Sequence, residues 1–533
     1  MTSTKIPVTA LAPQYAFGQS SVPSAEALLV GQERLQNTIK LALASGQNLY
    51  IADFSGIARN LLLHSLQQQY KQSSWQYLRG NIRRQDLIGQ RLADGSWAPG
   101  ALAKSQHLVI DAESLIKREN LWELLCHCLE HNQIQLANGD TIALQAKVTL
   151  IGNGELYAGL RYQESRFIEL FPLLAEMSHE LDLGRHSVDE YAAFLHALAS
   201  SRELTLHESA LQPLCQFSAR LTEHQQRLSL SSGEMVRLLA QAAALSGNPH
   251  LNGGAIQAAM EARQFRHNAS ELFAAQSFDD AFINLPTEGE VIGQINGLTV
   301  IDSIDFCYGE PARITTSVHY GDGEVADIER KSELGGNIHA KGMMILSACL
   351  YRIFGRDAPL HLNANIVFEQ SYQEIDGDSA SLAEYCCLIS AIAEQPINQS
   401  LAVTGALDQL GNVQAIGGVN EKIEGFFNLC FRRGLTGNQG VIIPRANLQQ
   451  LNLPSRIIEA VNEGQFHLYQ VAHMDEAVEL LMNKPAGEAD ENNNFPDETL
   501  YGLVQQRLDR LAGHGEEEPG FWERLRSRLG FSS

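Results

Sequence analysis

The sequence has no run of about 18 consecutive apolar residues in its 533 positions, so no membrane span is expected. Its opening, MTSTKIPVTALAPQYAFG, lacks the basic start and apolar stretch that mark a secretory signal. Basic residues are scarce: 39 Lys and Arg stand against 62 Asp and Glu, for a formal charge of −23. A surface this acidic repels phosphate backbones and argues against nucleic acid as the main partner. The eight cysteines are scattered. Without an export signal they read as free thiols in a reducing compartment, and the expected location is cytoplasmic. Metal-ligand spacing is missing as well. CHCLEH at 126–131 puts His127 and His131 on one helical face, but four ligands cannot converge from one helix. No second ligand pair with zinc spacing, HExxH, EF-hand loop or dinucleotide fingerprint accompanies it, and no metal is expected. Internal repeats are absent too.

What is present is enough apolar material, 44%, for more than one core. Residues 28–171 alternate short apolar strands (48–52, 107–111, 148–151) with helical patterns (59–70, 121–131), which predicts an α/β layer with a parallel sheet. From 187 to 275 the pattern is nearly all helical, broken by NPHLNGG at 248–254, and predicts a helical lid. A strand-rich region begins at Val291, with strands at 312–320, 361–368 and 401–407 and helices at 338–354 and 382–394. It predicts an α+β domain. PAGEADENNNFPDE, from Pro485, has the composition of a flexible linker that buries no core. Two short helical patterns follow. The last, FWERLRSRLGF, reads as an element docked on its own protein, with a membrane surface or a partner as the alternative. The expected layout is an extension at 1–27, an α/β module at 28–185, a lid at 186–277, an α+β domain at 278–485 and a tail at 486–533.

Two motifs in the α+β domain carry chemistry. EIDGDSAS at 374–381 follows an alternating strand and precedes a helical pattern, so Ser379 falls at a loop-to-helix transition. Unpaired N–H groups at a helix start can receive an oxyanion when a serine attacks a carbonyl. Alone, GDSAS is also an ordinary set of turn and cap residues. GGVNEKIEGFF at 417–427 reads as a helix start with Asn420 as N-cap and Lys422 in the first turn. There the helix dipole, together with burial, lowers the lysine pKa, and a neutral lysine can deprotonate a serine. Alone, Lys422 is an ordinary solvated surface lysine.

Together these motifs carry a resemblance. The region 293–482 resembles the proteolytic domain of the Lon family, and more closely its B-type branch. The family's serine motif, EGDSAS or DGDSAS, matches Asp376, Gly377, Asp378, Ser379, Ala380 and Ser381. Its lysine motif matches Gly417, Gly418, Val419, Lys422, Ile423 and Glu424, and the spacing of the two agrees. FEQSY at 368–372, VTG at 403–405 and GNIHAKG at 336–342 match in order. The resemblance implies a serine endopeptidase with a Ser379–Lys422 dyad. It implies Thr404 as a residue orienting the lysine, and Asp376 as an acid able to latch it, with Asp378 beside them. It also implies protein or peptide substrates and a hexameric ring.

The front half is similar to the AAA+ module of the same family, with its phosphate loop altered. The matching stretch, ADFSGIAR from Ala52 to Arg59, has Ala58 where the lysine belongs and Arg59 where a Ser/Thr for Mg²⁺ belongs. LVIDAE at 108–113 keeps Asp111 but has Ala112 in place of the catalytic glutamate, with Glu113 one position late. Asn153 matches a sensor asparagine. The expectation is a pseudo-ATPase scaffold that requires no cofactor and favours unfolded or loosely folded substrates. The alternatives are an ATP-dependent protease in which Arg59 takes over the lysine's task, and a non-catalytic assembly factor with a vestigial dyad.

Overall fold

The computed structural model describes residues 4–18, 25–69, 74–136, 139–303, 306–331, 333–355, 360–371 and 374–513. They form two compact units, one of Gln14–Arg263 and one that joins Met1–Pro13 to Gln264–Ser533.

The first unit is built on a parallel five-stranded sheet. Its strands are β1 (Leu49–Asp53), β2 (Trp75–Leu78), β3 (His107–Asp111), β4 (Lys147–Asn153) and β5 (Leu173–Glu176), in the spatial order β2-β3-β4-β1-β5. All five residues of β1 are buried, as a strand covered on both faces requires. The chain order reverses between β1 and β4. That leaves a crevice at their carboxyl ends, where helix α1 (Arg59–Gln69) begins. The helical patterns at 59–70 and 121–131 form helices, Arg59–Gln69 and Glu119–His131. Tyr70 lies outside the described residues. The lid follows as Val188–Ser200, Glu208–Leu221, Ser232–Ser246 and Gly253–His267. Its first helix opens on a capping box, Ser187 with Glu190. NPHLNGG interrupts the helices by placing Leu251 in a short parallel pair with Leu206.

The second unit holds a seven-stranded mixed sheet. Its strands are β6 (Gln294–Asp302), β7 (Cys307–Tyr320), β8 (Val325–Asp327), β9 (Leu362–Glu369), β10 (Leu401–Val403), β11 (Gly440–Pro444) and β12 (His467–Val471), in the order β8-β9-β7-β6-β10-β11-β12. Helices α2 (Asn337–Phe354) and α3 (Ser381–Ala393) share one core with Ile314, Val403 and Ile442. Helix α4 (Val419–Arg433) shares another with Leu298, Ala402 and Val441. Neighbours along a strand point to opposite faces, so α3 and α4 lie on opposite sides of the sheet.

Two expectations change here. The stretch 401–407 is not one strand: β10 stops at Val403, and Ala406–Leu407 pairs with Val413–Gln414 in a separate hairpin. The acidic stretch after Pro485 holds more structure than its composition implies. Ala486 is buried, and the Phe495 ring packs against Phe354 and Tyr501. It leads into α5 (Leu500–Gly513), which inserts Leu500, Tyr501, Val504 and Leu508 into the core around α3. FWERLRSRLGF lies outside the described residues. Among the described residues no helix is long and apolar enough to cross a membrane.

Candidate active site

Helix α3 starts where the backbone is held from several directions. Its residues 381–390 are all buried, which fixes the helix in the core. The Asp378 carbonyl accepts from both the N–H (3.1 Å) and the Oγ–H (2.8 Å) of Ser381, and Ser381 Oγ in turn accepts the Leu407 N–H at 2.9 Å. The Ser379 carbonyl accepts the Gly405 N–H at 2.8 Å and the Thr404 hydroxyl at 3.3 Å. The chain around Ser379 is therefore tied to the segment just past β10.

Helix α4 delivers the lysine. Its N-cap is Gly418, in the left-handed region at φ 65°, and not Asn420. Asn420 sits inside the first turn and is buried, where its side chain donates to the Gln450 carbonyl (2.8 Å) and accepts from the Asn452 N–H (2.7 Å). The helix lies almost on the backbone of β7. A Cβ on Gly309 would fall 2.0 Å from the Glu421 carbonyl oxygen, and one on Gly425 would fall 2.1 Å from the Gly309 oxygen. Two glycines thus set the depth of α4, and with it the reach of Lys422.

Lys422 is 3% exposed. Its Nζ lies 2.9 Å from Ser379 Oγ and 3.3 Å from Thr404 Oγ1. Burial lowers its pKa to about 8, against the opposing pull of Asp378 and Glu421. Asp376 is engaged elsewhere. Its Oδ1 accepts the N–H groups of Ile338 (3.0 Å) and His339 (3.3 Å) at the start of α2, and that of Gly377 (3.0 Å). It caps a helix and makes no hydrogen bond to Lys422 among the described residues. The latch that the resemblance implied for it is not the contact the structure holds.

In the first unit, the crevice beside β1 encloses about 590 Å³, lined in part by Asp53, Gly56, Arg59, Arg79, Asn153 and Arg202. Arg59 is bound inward, by Nη2 to Asp53 Oδ1 at 3.1 Å, by Nε to Asp53 Oδ2, and by Nη1 to Asp111. Asp111 also caps the short helix Ala112–Ile116 through the Ser114 N–H at 2.9 Å. Two of the loop's backbone groups are tied to the start of a lid helix. The Ala58 N–H donates to Ser232 Oγ (2.8 Å), and the Gly56 carbonyl accepts the Gly233 N–H (2.7 Å). Asn153 caps the next helix through the Leu156 N–H at 2.8 Å. Glu113 points away to an exposed pair with Lys117 at 2.7 Å. Cys126 and Cys128 are buried, while the His127 and His131 rings lie 4.3 Å apart on the outer side of their helix.

Sequence reasoning missed Ser381, Gly309 and Gly425 as positioning residues. Ser381 was visible inside the serine motif. The glycine pair shows only once α4 is laid on β7.

A parallel α/β module with a helical lid, joined in one chain to a mixed-sheet domain with a buried serine–lysine contact, defines an AAA-like protein with a hydrolytic domain. Comparison with known families agrees. Residues 361–484 match the Lon protease (S16) C-terminal proteolytic domain, residues 69–178 the LonB-like AAA domain, and residues 205–266 the archaeal LonB AAA+ ATPase LID domain. A protein of Haemophilus influenzae named "Putative Lon protease homolog" is 36% identical over 460 residues, 83% of this chain and 75% of its own. One of the same name in Escherichia coli is 39% identical, covering 77% of this chain and 71% of its own. An archaeal Lon protease of Archaeoglobus fulgidus is 32% identical over 37% of this chain and 29% of its own. The chain belongs to the Lon protease family.

Proposed function

We propose that this chain hydrolyses peptide bonds with Ser379 as nucleophile and neutral Lys422 as general base. The observation that carries this reading is the 2.9 Å approach of a buried amine to the serine hydroxyl. With a pKa of about 8, roughly a tenth of Lys422 is neutral at pH 7, enough to serve as a base without prior activation. As Ser379 Oγ bonds to the scissile carbonyl carbon, its proton passes to Lys422 Nζ. The carbonyl oxygen becomes an oxyanion, whose donors must be N–H groups other than those of Ser381, Leu382 and Glu384, since these bond the Asp378, Gly405 and Ala380 carbonyls. Asp378 and Glu421 favour the ammonium so formed. The ammonium then protonates the departing amine, leaving an acyl-serine. Water, deprotonated by Lys422, attacks that ester and frees the serine. Thr404 holds the amine on line.

Nucleotide is not required in this proposal. The two carboxylates nearest the phosphate loop already bind Arg59, and the Ala58 amide already has an acceptor. These residues do not fit a magnesium-bound triphosphate. Without nucleotide-driven unfolding, substrates are peptides and unfolded or loosely folded chains. The hexameric ring implied by the family belongs to the same proposal, and mass measurement in solution tests it.

The deciding experiment is degradation of an unfolded protein by wild type, Ser379→Ala and Lys422→Ala, each with and without ATP and Mg²⁺. Wild type is expected to be active either way and both variants inactive. Hydrolysis surviving in Ser379→Ala ends the dyad reading. Micromolar ATP binding with turnover ends the nucleotide-free reading.

A further inference from the structure

His339 touches the chain on both sides of the nucleophile. Its N–H, in the first turn of α2, donates to Asp376 Oδ1 at 3.3 Å, three residues before Ser379. Its imidazole Nε2 lies 3.2 Å from Asp327 Oδ2 and 3.8 Å from Glu384 Oε1. Glu384 is in the first turn of α3, five residues after Ser379, and its N–H donates to the Ala380 carbonyl. The His339 and Glu384 side chains are 1% exposed and that of Asp327 is 6%. A third acid completes the group. The Glu329 carboxylate accepts the Phe368 N–H at 3.0 Å, and its own N–H donates to Asp327 Oδ1 at 3.0 Å. From β9 the Phe368 ring meets the imidazole edge-on, with centroids 5.8 Å apart.

Packing alone does not account for these groups. Apolar side chains fill such a space without the cost of sealing one imidazole among three carboxylates. Asp327 Oδ2, His339 Nε2 and Glu384 Oε1 make no hydrogen bond among the described residues, so each carboxylate oxygen depends on its charge contact with the His339 ring, at 3.2 and 3.8 Å. The helix contacts lead directly to the nucleophile. A Cβ on Gly336 would strike the Asp376 carboxylate at 2.4 Å, and one on Gly342 would lie 3.3 Å from the Asp378 Cα. A shift of α2 relative to α3 therefore moves the backbone that carries Ser379.

We propose that His339, as an imidazolium shared between Asp327 and Glu384, is a positioning residue that holds both flanks of Ser379 and so sets the rate of its acylation. This rests on the Ser379–Lys422 reading. The pH sense follows from the cluster. For His339, burial works against the charge, but Asp327, Glu384 and Glu329 outweigh it and its pKa is raised. Glu384 is raised to about 7 by burial, against the pull of His339, and burial also raises Glu329. A raised His339 keeps its charge at low pH and loses it as pH climbs, so its bridge to Asp327 is lost toward the alkaline end, whereas a raised Glu384 is neutral below about 7 and its arm of the bridge weakens toward the acid end. Lys422 runs the other way, since its active neutral form appears as pH rises through about 8. The activity profile gains an ascending limb from Lys422 and a descending limb from the cluster.

The test is steady-state hydrolysis of a fluorogenic peptide, from neutral to alkaline pH, by wild type, Ser379→Ala, His339→Gln, Glu384→Gln and the His339→Gln/Glu384→Gln double variant, with melting temperatures alongside. His339→Gln is expected to lose at least about tenfold in kcat, to leave KM within about twofold, and to lack the descending limb. Glu384→Gln, which takes one carboxylate from the imidazolium, is expected to move the descending limb down by about one pH unit without moving the ascending one. The double variant, with no unpaired buried charge, is expected to recover heat stability but not rate. A His339→Gln protein that melts like wild type and keeps both its kcat and its descending limb overturns the proposal. If His339→Gln does not fold, the double variant is judged by the same criteria. Ser379→Ala separates the two readings. Activity in that variant refutes the dyad itself, whereas a dead Ser379→Ala beside a fully active His339→Gln refutes only the role of His339.

Discussion

Ser379 and Lys422 approach within 2.9 Å although their helices pack against opposite faces of one sheet. They meet beyond the carboxyl end of β10, where that strand stops and Thr404 begins. A continuous strand there would keep the two helices apart. The break between β10 and the Ala406–Leu407 hairpin is what lets Thr404 bond both the serine carbonyl and the lysine amine.

Lys422→Met is expected to abolish hydrolysis and stabilise the protein. A lysine held at about 8 costs the folded state about 3 kcal/mol at neutral pH relative to an unfolded lysine near 10.5. The unfolded chain binds more protons between those values, so wild-type stability climbs with pH across that window and the advantage of the variant fades. Denaturant melts at pH 7 and near pH 10 check this. A variant less stable than wild type at pH 7 contradicts it.

Gly425→Ala tests the depth of α4. The added methyl meets the Gly309 backbone, so helix and strand must part. Displacing the base by about 1 Å is expected to cost roughly 100-fold in kcat/KM. Rates of fluorophosphonate labelling of Ser379 report the same loss.

Asp376→Ala distinguishes a cap from a latch. Losing the acceptor at the start of α2 is expected to cost about 1 kcal/mol and to lower the rate. Faster peptide hydrolysis by the variant would mean instead that Asp376 restrains Lys422.

Arg59→Ala leaves Asp53 and Asp111 facing each other, with side chains only 3% and 5% exposed. Truncating one partner of so buried a group is expected to cost about 3 to 5 kcal/mol. Asp53→Asn in the same background should return part of it. Calorimetry resolves this, and an unchanged transition would show that the ion pairs contribute little.

Local pattern was enough for some of this architecture and not for the rest. The long apolar stripe of α2 and the turn before α3 lie within one residue of where periodicity places them, because each is decided by neighbours in sequence. Trp75–Leu78 is too short and too partly buried to carry a pattern of its own, and becomes a strand through its partner β3. Asn420 was a reasonable cap by residue type. It was claimed instead by Gln450 and Asn452, some 30 positions away, and Gly418 took the helix start. At the candidate site, the motifs indicated which residues to bring together. That they arrive from two sides of a sheet, over a glycine-to-glycine contact, depends on pairings between distant segments that no window of sequence contains.

The first few residues carry a consequence for how the molecule is made. Thr4 and Ile6 exchange backbone bonds with Gln470 and Leu468 along the edge of β12, and Ile6 and Leu11 are buried in the same core as Ile423 and Phe426 of α4. Residues 4–11 are thus made before the strand and the helix that hold them. They must wait through synthesis of the whole α/β module and lid before their partner strand exists. A hydrolytic domain assembled this way is completed only once β12 has been made. A fragment starting at Gln264 would emerge with an open sheet edge and apolar vacancies beside the helix that bears its lysine.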